Sequence, residues 1–167
     1  YSTLTGKSSS AKLAAVVKAN AYGLGVKEVA TALSGAGCTI FFVATLDEGI
    51  ELRQILPNAK IYVFHGVLPG TAEELVANSL IPVLNSLEQL ENWAPYADQV
   101  AALHIDTGMS RLGLTPEECD KIRFITSYNI DLVMSHLSCA EDKNHPKNSQ
   151  QLSLFEKLRK FIPSKYT

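Results

Sequence analysis

The feature that most constrains the fold is a regular alternation of short apolar runs with segments of helical periodicity. Six runs have the length and composition of strands, at 13–17, 40–44, 61–64, 81–84, 100–105 and 130–134. Between the first two runs, Val26, Val29, Ala30 and Leu33 recur at the spacing of one helix face. Because the predicted strands are apolar on both faces, the pattern indicates a parallel α/β sheet covered by helices.

The predicted helix starts carry a separate signal, a Ser or Thr followed three residues later by Glu or Gln. Four pairs have this capping-box spacing: Thr45 with Glu48, Thr71 with Glu74, Ser86 with Gln89, and Thr115 with Glu118. We expect Asn148 or Ser149 to cap a final amphipathic helix, and residues 8–10, all serine, to form a loop.

An open doubly wound sheet and a barrel both fit six repeated βα units. Gly23-Leu24-Gly25 is not followed by the third glycine of the dinucleotide fingerprint, which weighs against the open sheet. A complete barrel of eight units takes about 250 residues, so six units in 167 residues predict an incomplete TIM-type (β/α) barrel in one domain. The start at Tyr1 instead of Met leads us to expect a piece of a longer protein.

Charge and composition narrow the expected partners. Fifteen basic and 17 acidic residues give a net charge of -2, which is not the basic surface of a nucleic-acid-binding protein. No apolar run reaches the roughly 18 residues of a membrane helix. Cys38, Cys119 and Cys139 are odd in number and widely spaced, as reduced thiols of a cytoplasmic protein would be. We therefore expect a cytoplasmic protein with a small-molecule partner.

A candidate reactive lysine, Lys18, follows the first apolar run. The carboxyl ends of barrel strands face the active site, but position alone equally fits a lysine that extends to solvent. The segment AVVKANAYGLG at 15–25 resembles the pyridoxal-phosphate attachment motif of alanine racemases, which usually have His in place of Leu24. The resemblance implies that Lys18 binds pyridoxal 5'-phosphate covalently and acts as one of two catalytic bases, and that the Tyr22 hydroxyl binds the cofactor phosphate.

A second segment, LHIDTGMSRLG at 103–113, resembles the D-T-G-M-x-R-L-G loop of the same family. Arg111 matches the active-site arginine that lies near the cofactor's phenolic oxygen and the substrate carboxylate. Its planar, permanently charged fork suits both roles. Several members carry a carbamylated lysine seven residues before this arginine, where this sequence has His104. The resemblance leaves open how Arg111 is held.

The third segment, DLVMSHLSCAED at 131–142, resembles the sixth-strand segment of the family, and His136 would lie against the cofactor ring. The resemblance implies a cytoplasmic homodimer that interconverts L- and D-alanine for bacterial cell-wall synthesis. It also implies that two barrel strands, a carboxyl-terminal β domain and the second base, a tyrosine, lie outside these residues. We therefore expect the 167 residues to be inactive alone.

Other functions fit parts of the pattern. His65, His104 and His136, with Asp106, could form a metal centre at strand ends, but their spacing matches no compact ligand motif and leaves the Lys18 segment unexplained. A related fold-type III amino-acid racemase or decarboxylase would share the three segments. A non-enzymatic pyridoxal-phosphate-binding barrel would lack the continuation after Lys18, and a half-barrel without a site would bind no cofactor.

Overall fold

The computed structural model describes residues 1–8, 11–122, 127–162 and 164. The loop expected at 8–10 falls partly on Ser9 and Ser10, which lie outside the described residues. The described strands are β1 (Ala15–Val16), β2 (Ile40–Val43), β3 (Lys60–Val63), β4 (Ile81–Leu84), β5 (Val100–His104) and β6 (Asn129–Met134). The described helices are α1 (Ser2–Thr5), α2 (Lys18–Tyr22), α3 (Val26–Gly35), α4 (Leu46–Ile55), α5 (Ala72–Ala77), α6 (Leu87–Trp93), a 3-10 turn (Ala94–Tyr96), α7 (Pro116–Lys121) and α8 (Pro146–Arg159).

All six predicted strands are confirmed, with bounds that differ by at most two residues. Every pair is parallel, and the strands follow one another in chain order from β1 to β6. Consecutive parallel strands with a helix after each one are the order of the (β/α) barrel. Six of its eight units are present, and the described strands do not close into a ring.

The helix starts largely follow the capping signals. Both bonds of the capping box form in two pairs, Thr45 with Glu48 and Thr115 with Glu118. Ser86 accepts from the Gln89 backbone N–H as expected, but the Gln89 side chain accepts from Asn85 instead of Ser86. The Thr71 hydroxyl accepts from the Leu68 backbone N–H and donates to the Leu68 carbonyl.

The cap expected for α8 is wrong. The helix begins at Pro146, because proline fits the first helical position, where no N–H is needed. The cap is therefore His145, whose Nδ1 accepts from the Lys147 backbone N–H at 3.2 Å. Asn148 and Ser149 both lie inside the first turn.

The chain divides into two compact units, residues 1–66 with 73–82 and residues 67–72 with 83–167. The first has a core of fully buried side chains from strands and helices, among them Phe41, Leu52, Ile61 and Leu75. The second unit has its own core of fully buried side chains, which include Trp93, Leu103, Ile105 and Leu114. Across the described part of the chain, no helix combines the length and apolar character needed to cross a membrane.

Candidate active site

Lys18 lies in the first unit, two residues after the end of β1. The Val17 backbone N–H still donates to the Phe42 carbonyl at 2.9 Å, and the strand geometry ends there. The Lys18 side chain is half-buried, and its Nζ lies 6.0 Å from the centroid of the Phe64 ring. The structure therefore places the amine at the carboxyl end of a parallel strand, where the sequence predicted it.

The backbone after Lys18 turns with the wrong hand for an ordinary helix. Ala19, Asn20, Ala21 and Tyr22 have φ values of 51°, 51°, 53° and 56°. Consecutive non-glycine residues in the left-handed region are rare, because each costs roughly 1–2 kcal/mol through contact between Cβ and the carbonyl. Such strain persists where surrounding contacts impose it, and it clusters at functional sites.

Two side-chain hydrogen bonds hold this left-handed turn, and a third anchors one of the side chains that make them. Glu48 Oε1 accepts from the Ala19 backbone N–H at 2.7 Å, and Glu48 Oε2 accepts from Ala44 at 2.7 Å. At the other end, Asn20 Oδ1 accepts from the first backbone N–H of α3, that of Val26, also at 2.7 Å. The sequence marks Glu48 as a capping residue, but nothing in it indicates the bond to Ala19.

Tyr22 closes the left-handed turn. Its side chain is 63% exposed, so its hydroxyl lies at the surface of the first unit. The phosphate-binding role that the sequence resemblance assigns to it stays a prediction.

The loop that carries Arg111 lies in the second unit and follows β5. The Asp106 carboxylate accepts from the backbone N–H groups of Gly108, Met109 and Ser110 at 2.9–3.0 Å. Partial burial raises the pKa of Asp106, but these hydrogen bonds outweigh it and hold the pKa below its usual value. The ionised carboxylate therefore organises the loop around itself.

The end of the same loop, at Leu114, is hydrogen-bonded to the backbone where the loop begins. The Asp106 N–H donates to the Leu114 carbonyl at 2.9 Å, and the Leu114 N–H donates to the His104 carbonyl at 2.8 Å. Gly113 has a φ of 109°, and a Cβ there would lie 2.7 Å from the Asp106 backbone nitrogen. The closed loop leaves Arg111 exposed between these anchors.

His104, at the end of β5, is 7% exposed and faces Asn85. The Asn85 side-chain amide donates to the Val83 carbonyl at 2.7 Å, so its oxygen faces His104 Nδ1 at 2.9 Å. We assign the His104 proton to Nδ1 from this network, which leaves Nε2 as an acceptor. That nitrogen is buried without a hydrogen-bond partner among the described residues.

The His104 ring is neutral at physiological pH. Burial lowers its pKa to about 4, the Asp106 charge opposes the shift, and the neighbouring His136 and Arg111 add to it. Arg111 and His136, two residues singled out in the sequence, thus each act electrostatically on His104.

Gln151 of α8 is a site residue that the sequence did not reveal. It is 2% exposed, and its Nε2 donates to Thr107 Oγ1 at 3.1 Å and to the His136 carbonyl at 3.0 Å. Its Oε1 accepts from the Ser138 backbone N–H at 2.9 Å and from the Ser138 hydroxyl at 3.0 Å. One buried amide thus joins the Arg111 loop to the exposed His136 segment.

The structure gives the alternative metal centre no support. Among the residues it describes, no three His, Cys, Asp or Glu side chains form a group that could hold a metal ion.

The whole length of the chain, residues 1–167, matches the family described as "Alanine racemase, N-terminal domain". The chain belongs to the alanine racemase family. Its relatives include an alanine racemase of Rhodospirillum rubrum, which is 46% identical over 155 residues. That match covers 87% of this chain and 41% of the relative. A catabolic alanine racemase of Agrobacterium fabrum is 43% identical over 173 residues, covering 98% of this chain and 45% of the relative.

Solved structures of alanine racemases have the same fold. The chain superposes on the Bartonella henselae enzyme, whose crystal structure contains covalently bound pyridoxal phosphate, with a TM-score of 0.93 and 34% identity. That match covers 100% of this chain and 52% of the other. The alanine racemase from E. faecalis gives a TM-score of 0.80 at 31% identity, covering 91% of this chain and 44% of that one.

The chain spans less than half the length of these two curated alanine racemases. The family and the fold implied by the three sequence segments are thus confirmed. The roles of Lys18, Tyr22, Arg111 and His136 belong to the proposal that follows.

Proposed function

We propose that the whole protein is a pyridoxal-phosphate-dependent racemase that interconverts L- and D-alanine. The observation that carries the proposal is a lysine, Lys18, on a strained turn at the carboxyl end of β1 in a chain of the alanine racemase family. The superposed Bartonella henselae enzyme, which contains covalently bound pyridoxal phosphate, supports the cofactor assignment.

The described residues fit this cofactor. A primary amine at a strand end can bind an aldehyde covalently, and the half-buried Lys18 is held there by a turn whose backbone is fixed at both ends. The exposed Tyr22 hydroxyl, four residues further, is a donor for a phosphate oxygen. In the second unit, His104 Nε2 is a buried acceptor without a partner among the described residues, as expected where a bound group completes the hydrogen bonding.

The proposal gives each residue a defined role. When bound, pyridoxal phosphate supplies the electron sink that acidifies the α-proton of an amino acid. Lys18 would hold the cofactor, and its amine would take the α-proton on one face of the substrate. Arg111 holds the substrate carboxylate and the cofactor's phenolic oxygen with its planar fork. His136 supports the ring, and Tyr22 binds the phosphate.

Racemisation needs a second proton donor on the opposite face, and the proposal places that group, a tyrosine, outside the 167 residues. The rest of the proposal follows the sequence expectations: a partial barrel domain, a further β domain, and a cytoplasmic homodimer that supplies D-alanine for the cell wall. These 167 residues alone are then expected to be inactive.

Replacing Lys18 tests the proposal in the whole protein. Lys18→Ala removes the attachment point and a base together, so racemisation should fall by more than the hundredfold to ten-thousandfold typical of a lost base alone. The matched control is Lys27→Ala, an exposed lysine on α3, which should retain activity. The assay follows loss of optical activity of D-alanine, with L-serine and L-lysine as further substrates. Racemisation by Lys18→Ala at the control rate would contradict the proposal. If the unmodified protein preferred another amino acid, alanine would not be its substrate.

A further inference from the structure

The left-handed turn after Lys18 depends on a carboxylate that lies outside the three family-like segments. Glu48 is the third residue of α4, where its backbone N–H donates to Thr45 Oγ1 and its side chain accepts from Thr45 at 3.3 Å. A capping box needs nothing more. Here the same carboxylate also accepts, at 2.7 Å each, from Ala44 at the end of β2 and from Ala19.

The bond to Ala19 joins two segments that are 29 residues apart in the chain. Ala19 is the first residue of the left-handed stretch and the residue after Lys18. Bonds from N–H to carboxylate at such distances are short and charge-assisted, and therefore strongly directional. Because local preference opposes a left-handed Ala19, contacts outside the turn must select its conformation.

We infer that Glu48 is a positioning residue for Lys18: its carboxylate fixes the Ala19 amide and thereby the direction in which the Lys18 side chain leaves the backbone. The inference rests on the proposed function of Lys18. One carboxylate oxygen serves Ala19 and the other serves Ala44 and Thr45, so both oxygens must be acceptors. An amide has one acceptor oxygen, and its NH2 group would oppose a backbone N–H.

Glu48→Gln is therefore the informative variant, and Glu118→Gln is its matched control. Glu118 occupies the same place in the capping box of α7, where it accepts from the Thr115 N–H at 2.9 Å, and it belongs to the other compact unit. Both variants weaken a capping box. If Glu48 served only its capping box, the two variants would change the rate of cofactor attachment equally.

The test uses the whole protein, stripped of cofactor and then mixed with pyridoxal phosphate. The readouts are the growth rate of the visible absorption band and the thermal midpoint of each variant before addition. We expect Glu48→Gln to slow band growth at least tenfold and Glu118→Gln less than twofold, with similar thermal midpoints. Equal rates in the two variants would overturn the inference. No band with the unmodified protein would instead overturn the proposed function of Lys18.

A second measurement needs no variant and covers the case in which Glu48→Gln fails to fold. Ala19 is exposed, so without its bond to Glu48 its amide hydrogen should exchange like that of an unstructured residue. We expect exchange at least tenfold slower than for the neighbouring Asn20, whose backbone N–H has no hydrogen bond among those described. Exchange of Ala19 as fast as that of Asn20 would overturn the inference even if Lys18 binds the cofactor.

Discussion

The backbones after β1 and after β5 are both held by a carboxylate that accepts backbone N–H groups, but the two carboxylates come from different places. Asp106 binds the N–H groups of residues two to four positions further along its own loop. Glu48 binds Ala19 from 29 residues away. The Arg111 loop thus encodes much of its own shape, whereas the Lys18 turn needs an element that folds elsewhere.

The largest expected effect tests whether the Arg111 loop is as self-contained as Asp106 suggests. Gln151→Leu would remove the buried partner of Thr107, Ser138 and the His136 carbonyl. Loss of these hydrogen bonds should lower the free energy of unfolding by about 3–5 kcal/mol, measured by denaturant titration.

The matched control is the neighbouring, exposed Gln150, whose replacement by Leu should change stability by about 0.5 kcal/mol or less. If Gln151→Leu behaves like Gln150→Leu, the link through α8 does not stabilise the loop.

The second effect concerns the closure of the loop at Gly113. Gly113→Ala forces a Cβ to 2.7 Å from the Asp106 backbone nitrogen at a φ of 109°. We expect a loss of about 2–3 kcal/mol, measured as above. Gly70→Ala is the control, since Gly70 has a φ of 80° and a Cβ there would meet no described heavy atom within 4 Å. It should cost about 1 kcal/mol, and equal losses would mean that the loop can open without penalty.

The third prediction distinguishes the function of the Asp106 carboxylate from that of the Glu48 carboxylate. Asp106→Ala frees three partly exposed N–H groups and should cost about 1–2 kcal/mol of stability. In the whole protein it should also lower kcat by about tenfold to a hundredfold, because Arg111 loses its fixed position. Covalent attachment of pyridoxal phosphate should stay normal, in contrast to Glu48→Gln. Steady-state assays and absorbance spectra distinguish the two, and an attachment defect in Asp106→Ala would break the comparison.

The sequence predicts the features that depend on neighbouring residues better than those that depend on distant contacts. The six strands, two complete capping boxes and the Asp106 loop depend on neighbouring residues, and their patterns are visible in the chain. The left-handed turn contradicts the local preference of four non-glycine residues, and the contact with the distant Glu48 that helps to hold it has no signal in the sequence. Gln151 likewise has the composition of a solvated helix residue, and its burial depends on distant segments.

The smallest effect is on pH dependence. His104 has a folded pKa of about 4, below its usual value of 6.5, so the folded state favours the neutral ring. The corresponding stability is complete above about pH 6.5 and is lost as the pH falls through 4. Thermal midpoints of the unmodified protein and of His104→Gln should converge between pH 6.5 and 4, and parallel curves would contradict the assignment.

The most direct test of the central claim is to locate the cofactor on the chain. The whole protein is incubated with pyridoxal phosphate, reduced with borohydride, digested with trypsin and analysed by mass spectrometry. A modified Lys18 is no longer a cleavage site, so the account predicts one labelled peptide spanning 13–27 and the loss of its fragments 13–18 and 19–27. Label on Lys12 or Lys27, with normal cleavage after Lys18, would contradict it.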